Sequence, residues 1–198
     1  NRVYGNTLNN NDIGLYIGNG GLNDQGLNSF YNNIIKFNNI GVKLSQNSDT
    51  LKANTIESNA TGVLLVKASN NYIHSNSIVN SSETGILLTD GSSNNLISEN
   101  RLCINNQGVK VTKKDMNLSV NNLFTYNLIG RSVHEAFLFE SGPQLPLKFN
   151  SFYGSNDENV FVNHNSTDIL ATENWFGTTD TLLIDRMIYD HYDSAIYG

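Results

Sequence analysis

Apolar and polar residues alternate along this chain in short runs, and the runs recur. Residues 28–44 read N-x-Φ-x-x-N-x-Φ, then a short polar turn, then G-Φ-x-Φ, where Φ is apolar. Alternation with a period of two predicts short, half-buried strands rather than helices. Each copy therefore predicts three strands, joined by turns of Asn, Asp, Ser and Gly, residues that accept turn and left-handed conformations.

The template recurs along nearly the whole chain, and the second Asn of each copy marks it. These markers are Asn6, Asn33, Asn54, Asn76, Asn100, Asn127, Asn150 and Asn174. The markers are 21–27 residues apart. A near-fixed period in this range indicates a solenoid, because one copy cannot bury its apolar side without a neighbour. The pattern predicts an all-β fold, a right-handed parallel β-helix of about eight rungs.

The repeated Asn and Gly have structural roles in such a fold. Equivalent positions stack at ~4.8 Å per rung. An inward Asn at a corner can then bond backbone groups and the Asn of the next rung, which forms a ladder. The Gly before the third strand is expected to supply backbone freedom at the next corner. Neither residue type is interpreted as part of a site.

The end of the chain departs from the repeat. Asp180 precedes a run of apolar residues at helical spacing. These residues are Leu182, Leu183, Met187, Ile188 and Tyr192. Because the end of a solenoid exposes strand edges and core, the run predicts a short amphipathic cap, with Trp175 packed under it. The predicted organisation is β-helix over 1–178 and cap over 179–198.

Composition narrows the functional classes. The 198 residues include 34 Asn, and the net charge is −6. Phosphate binding needs a basic surface, so the negative charge disfavours nucleic acid as a partner. It also mildly disfavours a strongly anionic polysaccharide.

No apolar run is long enough for a membrane span. The single Cys103 excludes an internal disulfide. The chain opens in mid-repeat at Asn1, which predicts a piece of a longer protein with other domains.

The repeats and one closing segment carry a family resemblance. Residues 1–177 resemble the right-handed parallel β-helix repeat proteins of the pectate-lyase-like class. Asn174-Trp175-Phe176-Gly177, followed by IYDHYD at 188–193, is similar to the N-W-[WF]-G ending of extracellular members. The class includes polysaccharide lyases, C5-epimerases, glycoside hydrolases, phage tailspikes, surface proteins and periplasmic copper-delivery factors. The resemblance implies an extracellular, cell-surface or periplasmic location and no single activity.

Candidate chemistry comes from stacking. The residue after the apolar centre of the first strand forms one outward column: Tyr4, Tyr31, Lys52, His74, Ser98 and Thr125. Lyases and epimerases need a cation that neutralises a carboxylate and a His, Lys or Tyr acid–base pair. Tyr31, Lys52 and His74 are therefore the candidate catalytic residues, and Tyr faces such as that of Tyr4 can stack on sugars. The alternative is an ordinary polar, exposed column.

Three further substrate-binding candidates are Lys43, Lys113 and Glu140. Lys43 belongs to an outward third-strand column that also holds Leu64 and Leu87, so oligomerisation along this face stays open. Lys113 and Glu140 fall in two of the three long connections, which all follow a third strand. These connections are Gly18–Leu27, Thr112–Asn121 and Glu140–Pro146. They are expected at one corner of the solenoid, as binding surfaces or as tolerated length variation.

Metal chemistry has little support in the sequence. The four His are scattered and Met is only 2, which argues against copper delivery. The His residues are His74, His134, His164 and His191. Lys114 and Asp115 join Lys113 and Glu140 in a charged corner, while His134 and Glu135 lie at another. Two carboxylates fall short of the number Ca²⁺ takes, so no cofactor is predicted and Ca²⁺ is the open alternative.

Two functions of different classes follow. The first is an extracytoplasmic domain that recognises or processes a polysaccharide or cell-surface glycan, as a lyase, epimerase or hydrolase would. The second is a non-enzymatic structural, adhesive or surface-layer module. An enzyme predicts a concave groove with clustered titratable side chains, whereas a spacer predicts a flat surface of Asn, Ser and Thr.

Overall fold

A computed structural model describes residues 1–18, 26–113, 117–142, 145–154, 160–165, 168–190 and 193. The chain forms a right-handed parallel β-helix with three sheets along its length, which confirms the predicted fold class. Sheets A and C each contain eight strands and sheet B contains seven. All described strand pairs are parallel and join residues one repeat apart, for example Leu51 with Ile73.

Each turn of the coil contributes one strand to each sheet, numbered here in chain order. Sheet A contains β1 (Arg2–Tyr4), β4 (Ser29–Tyr31), β7 (Thr50–Lys52), β10 (Tyr72–His74), β13 (Leu96–Ser98), β16 (Leu123–Thr125), β19 (Pro146–Lys148) and β22 (Leu170–Thr172). Sheet B contains β2 (Thr7–Asn9), β5 (Ile34–Lys36), β8 (Thr55–Glu57), β11 (Ser77–Val79), β14 (Arg101–Cys103), β17 (Leu128–Gly130) and β20 (Ser151–Tyr153). Sheet C contains β3 (Ile13–Gly18), β6 (Ile40–Ser45), β9 (Thr61–Val66), β12 (Thr84–Thr89), β15 (Gln107–Val111), β18 (Phe137–Phe139), β21 (Phe161–Asn163) and β23 (Ile188–Tyr189).

The core is a stack of inward side chains, one from the centre of each short strand. Leu51, Ile73 and Ile97 lie one above the other in sheet A, and all three are fully buried. Each such side chain contributes about 1.5–3 kcal/mol through burial. Towards the C-terminus the core becomes aromatic, where Phe124 packs edge-on against Phe137 with centroids 5.3 Å apart.

The predicted Asn ladder is confirmed and runs without a break from Asn6 to Asn174. Asn54 donates from its backbone N–H and from Nδ2 to Oδ1 of Asn76, both at 3.0 Å. The Asn76 Nδ2 also donates to the carbonyl of Leu51 at 2.9 Å. The ladder therefore satisfies buried backbone groups that no strand partner reaches.

Two further ladders accompany it, which the sequence pattern alone did not reveal as ladders. One is formed by the first Asn of each copy. In one copy Asp49 stands at this position, and its Oδ1 accepts from the backbone N–H and the Nδ2 of Asn28 at 3.0 and 2.9 Å. The other lies between sheets B and C, where Asn38 donates to Asn59 Oδ1 at 2.9–3.0 Å. This last ladder was missed because its Asn falls inside a polar turn of variable length.

The glycines expected before the third strand lie inside it, as Gly41 does in β6 and Gly62 in β9, and have a different role from the expected one. None of them has a left-handed backbone, so the predicted need for backbone freedom was wrong. A Cβ on Gly41 would lie 2.6 Å from the carbonyl oxygen of Gly62 and 2.9 Å from Asn59 Nδ2. The position therefore requires glycine because successive rungs approach each other closely here.

Left-handed residues mark the corners instead. Twenty described non-glycine residues have a φ between 51° and 64°, and they fall in columns between the sheets. Between sheets A and B the column includes Asn32, Ala53 and Ser75; between sheets B and C it includes Phe37 and Ile104. Asn accepts this conformation readily, whereas large and β-branched residues do so at a cost.

The C-terminal segment contains the predicted helix in part. Helix α1 spans Thr181–Met187, and Asp180 caps it by accepting from the backbone N–H of Leu182 at 2.9 Å. Ile184 and Met187 pack against the core, but Leu182 is 73% exposed. Leu183 is exposed as well, so the apolar face is narrower than the spacing predicted.

The cap ends as a strand rather than as a helix. The helix stops at Met187, and Ile188 enters β23, which pairs with β21 at the end of sheet C. The expected position of Trp175 under the cap was wrong, since this residue is 49% exposed. Tyr192 lies outside the described residues. Within the described part of the chain, no helix has the length and apolar character needed to cross a membrane.

The three long connections share one corner, as expected. Each leaves a strand of sheet C and returns to a strand of sheet A, although their central residues lie outside the described ones. The two later connections meet, because a Cβ on Gly142 would lie 3.1 Å from the carbonyl oxygen of Ser119.

Candidate functional site

The outward face of sheet A carries the predicted catalytic column. Tyr4 pairs with Tyr31, Tyr31 with Lys52 and Lys52 with His74 in the register of successive strands. The predicted order is therefore confirmed, with neighbouring positions about 4.8 Å apart. The assignment of these residues to binding or catalysis stays a prediction.

Two stacked rings and one ammonium group form the centre of this face. The rings of Tyr4 and Tyr31 are nearly parallel, at 7°, with centroids 5.0 Å apart. Lys52 Nζ lies 5.5 Å from the centroid of the Tyr31 ring. Both faces of the Tyr31 ring are therefore covered, and the ring presents its edge and hydroxyl group to a ligand. Sugar stacking on the Tyr31 face, which the sequence suggested, does not fit this geometry.

A cleft of about 690 Å³ lies beside the stack. Tyr31 and Lys52 line it together with Arg2, Ser29 and Leu27. Its lining is mainly polar and offers guanidinium, ammonium and hydroxyl donors. A binding or catalytic role for this cleft stays a prediction.

His74 adjoins this group at the next rung. Its ring stacks on Tyr72, with centroids 4.0 Å apart, and its Nδ1 lies 3.3 Å from Ser75 Oγ. Burial lowers the pKa of His74 from its ordinary value of 6.5; the Glu99 carboxylate opposes this, and the Lys52 ammonium adds to it. The imidazole is therefore neutral at pH 7 and can accept a proton.

The charge on this face differs from that of the whole chain. Arg2, Lys52 and Lys148 occupy outward positions of sheet A strands. In the eight strands of this sheet, no Asp or Glu occupies an outward position. In a chain with a net charge of −6, the strands of this sheet thus carry cations and no carboxylate at their outward positions, while Glu99 and Glu173 follow two of the strands at the corner.

The remaining predicted binding residues lie elsewhere. Lys43 is on sheet C, with its Nζ 5.6 Å from the centroid of the Tyr16 ring. Glu140 forms an ion pair with Lys110 at 2.8 Å, rather than with the exposed Lys113. The structure therefore keeps these three apart from the Tyr31 cleft. Lys114 and Asp115, part of the same predicted corner, fall outside the described residues.

Comparison with protein families identifies the chain. The family described as "NosD: Periplasmic copper-binding protein (NosD)" matches residues 1–186. The chain belongs to the NosD family. The family's description is periplasmic, which confirms the expected extracytoplasmic location.

Other comparisons add the fold alone. A search of curated proteins gives no significant match. A solved structure described as "The complex structure of XylC with xylose" is similar, with a TM-score of 0.50 and 17% identity. The similarity covers 70% of this chain and 21% of that one, so the chain spans about a fifth of the other protein's length.

Copper is implied by the family's description, but the described residues do not fit it. They contain no group of three or more His, Cys, Asp or Glu that could hold a metal ion. Cys103 is buried, with its Sγ 2.9 Å from the Tyr153 hydroxyl, and His74 stacks on Tyr72. The thiol and the imidazole are thus engaged separately, whereas a copper site needs its ligands together.

Proposed function

We propose that this protein binds a polysaccharide carrying carboxylate groups, along the outward face of sheet A beside Tyr31 and Lys52. The observation that supports this proposal is the local charge. Arg2 and Lys52 line one cleft, and no acidic residue occupies an outward position on the eight strands of that sheet. Ammonium and guanidinium groups form strong, charge-assisted hydrogen bonds with carboxylates.

The aromatic stack supports recognition of the sugar hydroxyl groups. The Tyr4 ring covers one face of Tyr31, and Lys52 covers the other. The phenol groups therefore point outward as a short row of donors and acceptors along the solenoid axis. A chain of sugar residues lying parallel to this axis would meet one rung after another.

Binding should depend on Lys52 and on salt. Replacing Lys52 by Ala removes a cation from the cleft and is expected to weaken the binding of polygalacturonate about tenfold, as the loss of one charged hydrogen bond would. Lys36→Ala is the matched control, because Lys36 also lies over an aromatic ring, at 5.4 Å from the Phe37 centroid, but on sheet B. Affinity electrophoresis and calorimetry at two salt concentrations measure both variants.

Two results would count against the proposal. Equal loss in Lys36→Ala and Lys52→Ala would indicate non-specific attraction to the protein surface. Equal binding of neutral xylan and of polygalacturonate by the unmodified protein would remove the role assigned to the carboxylates.

A second candidate function is elimination next to the bound carboxylate, and His74 favours it. Its pKa is lowered by burial, so the neutral imidazole is available as a base at pH 7, one rung from the Lys52 cation. The same polygalacturonate samples, read at 235 nm for unsaturated products, test this activity. Absorbance that rises with the native protein but not with His74→Ala would support a lyase. If the absorbance did not rise with the native protein, binding would remain the only proposed function.

A further inference from the structure

Two exposed aromatic side chains project from the corner between sheets A and B. Tyr126 and Phe149 occupy the left-handed position of successive rungs, with φ values of 56° and 57°. Their rings are stacked, with centroids 5.1 Å apart and planes at 8°, and the residues are 60% and 42% exposed. At the same position, earlier rungs have Gly5, Asn32 and Ala53.

A glutamate lies on each side of this aromatic pair. Glu99 precedes Tyr126 in the corner column, and Glu173 follows Phe149, as the register of the preceding strand residues requires. Both glutamates are exposed, and both have left-handed backbones. Trp175, two residues after Glu173, is 49% exposed. Glu99 Oε2 accepts from Ser75 Oγ of the preceding rung at 3.1 Å, at the exposed surface. The corner thus presents two stacked rings between two glutamates, with a third aromatic side chain nearby.

Elsewhere in the described chain, several aromatic rings have a lysine over one face. Three lysines lie 5.4–5.6 Å from the ring centroid of a partner: Lys36 on Phe37, Lys43 on Tyr16 and Lys52 on Tyr31. In the part of the chain that the structure describes, no Lys or Arg lies over Tyr126 or Phe149. We propose that this corner binds an arginine or lysine side chain of a partner polypeptide.

The geometry favours a cationic side chain over a sugar ring. The inner faces of the Tyr126 and Phe149 rings cover each other, so only the outer faces are open. Each outer face looks along the solenoid axis towards a glutamate position about 4.8 Å away. Lys52 covers the Tyr31 ring from the neighbouring rung in the same way. A partner's cation that enters from solvent, where the exposed glutamate side chain turns aside, would meet a ring face and a carboxylate together, which combines a cation–π contact with an ion pair.

The single tryptophan supplies a local readout. A capped Gly-Arg-Gly-Arg-Gly peptide, titrated into the protein, is expected to change Trp175 fluorescence and to bind in calorimetry. Tyr126→Asn combined with Phe149→Asn should weaken binding at least tenfold, and Glu99→Gln with Glu173→Gln severalfold. The Asn substitutions suit the corner because Asn32 occupies the same position with a φ of 54°.

Ile104→Asn is the matched control. Ile104 is also an exposed apolar residue with a left-handed backbone, with a φ of 59°, but it lies between sheets B and C. It should leave peptide binding unchanged. Absence of binding, or equal binding by the double Asn variant, would overturn the proposal. Binding of a neutral oligosaccharide in place of the peptide, lost in the Tyr126 and Phe149 variant, would assign the corner to a glycan instead.

Discussion

At the scale of single residues, the corners combine a fixed backbone with variable side chains. The left-handed conformation costs a β-branched residue about 1 kcal/mol or more relative to Asn. Ile104 has this conformation and is 49% exposed, so little packing is lost when it is replaced. Ile104→Asn is therefore expected to raise the free energy of unfolding by about 1 kcal/mol in urea denaturation.

A strand residue provides the comparison. Ile34 is 44% exposed on sheet B, with an extended backbone that favours β-branched residues. Ile34→Asn should therefore lower stability. If both substitutions raised the free energy of unfolding, the effect would come from the more polar surface. It would then not come from relief of the left-handed backbone at Ile104.

The sequence predicted positions better than side-chain directions. Period two placed Tyr31, Lys52 and His74 in adjacent rungs, because register follows directly from the repeat. It did not predict that Tyr4 would cover one face of Tyr31, since the repeat does not determine rotamers. The glycine pattern was visible, but its cause, the close approach of Gly41 to the Gly62 carbonyl, depends on backbone distances.

At the scale of elements, the Asn ladder connects all rungs through buried hydrogen bonds. Asn100 accepts from the backbone and from the side chain of Asn76 at 3.0 Å, and donates to the carbonyl of Ile73 at 2.9 Å. Asn100→Ala leaves these buried groups without a partner, at about 1–3 kcal/mol each. We expect the free energy of unfolding to fall by about 3 kcal/mol or more, measured by urea denaturation.

A substitution of an exposed Asn outside the ladders is the control. It distinguishes loss of the ladder from loss of any Asn side chain. Asn39 donates to Asp12 at 3.2 Å on the surface, so Asn39→Ala should change stability by less than about 0.5 kcal/mol. If Asn100→Ala cost no more than this, the ladder would be a consequence of the coil rather than a source of its stability.

At the scale of the whole molecule, stability should vary along the solenoid axis, because each rung contacts only its neighbours. The side chains of Leu51, Ile56 and Val63 are fully buried, whereas Val3 in the first rung is only partly buried and Ala171 in β22 is exposed.

Hydrogen exchange followed by mass spectrometry should therefore show a gradient. In the chain of residues 1–198, amides in β7–β12 are expected to exchange slowest, and those in β1–β3 and β22 fastest, since local opening where side chains are less buried breaks fewer contacts. Asn100→Ala should then accelerate exchange mainly in the rungs that contain Asn76 and Asn127, its ladder neighbours. Uniform exchange along the chain, or uniform acceleration in the variant, would mean that the rod opens as one cooperative unit and that coupling between rungs exceeds the nearest-neighbour limit.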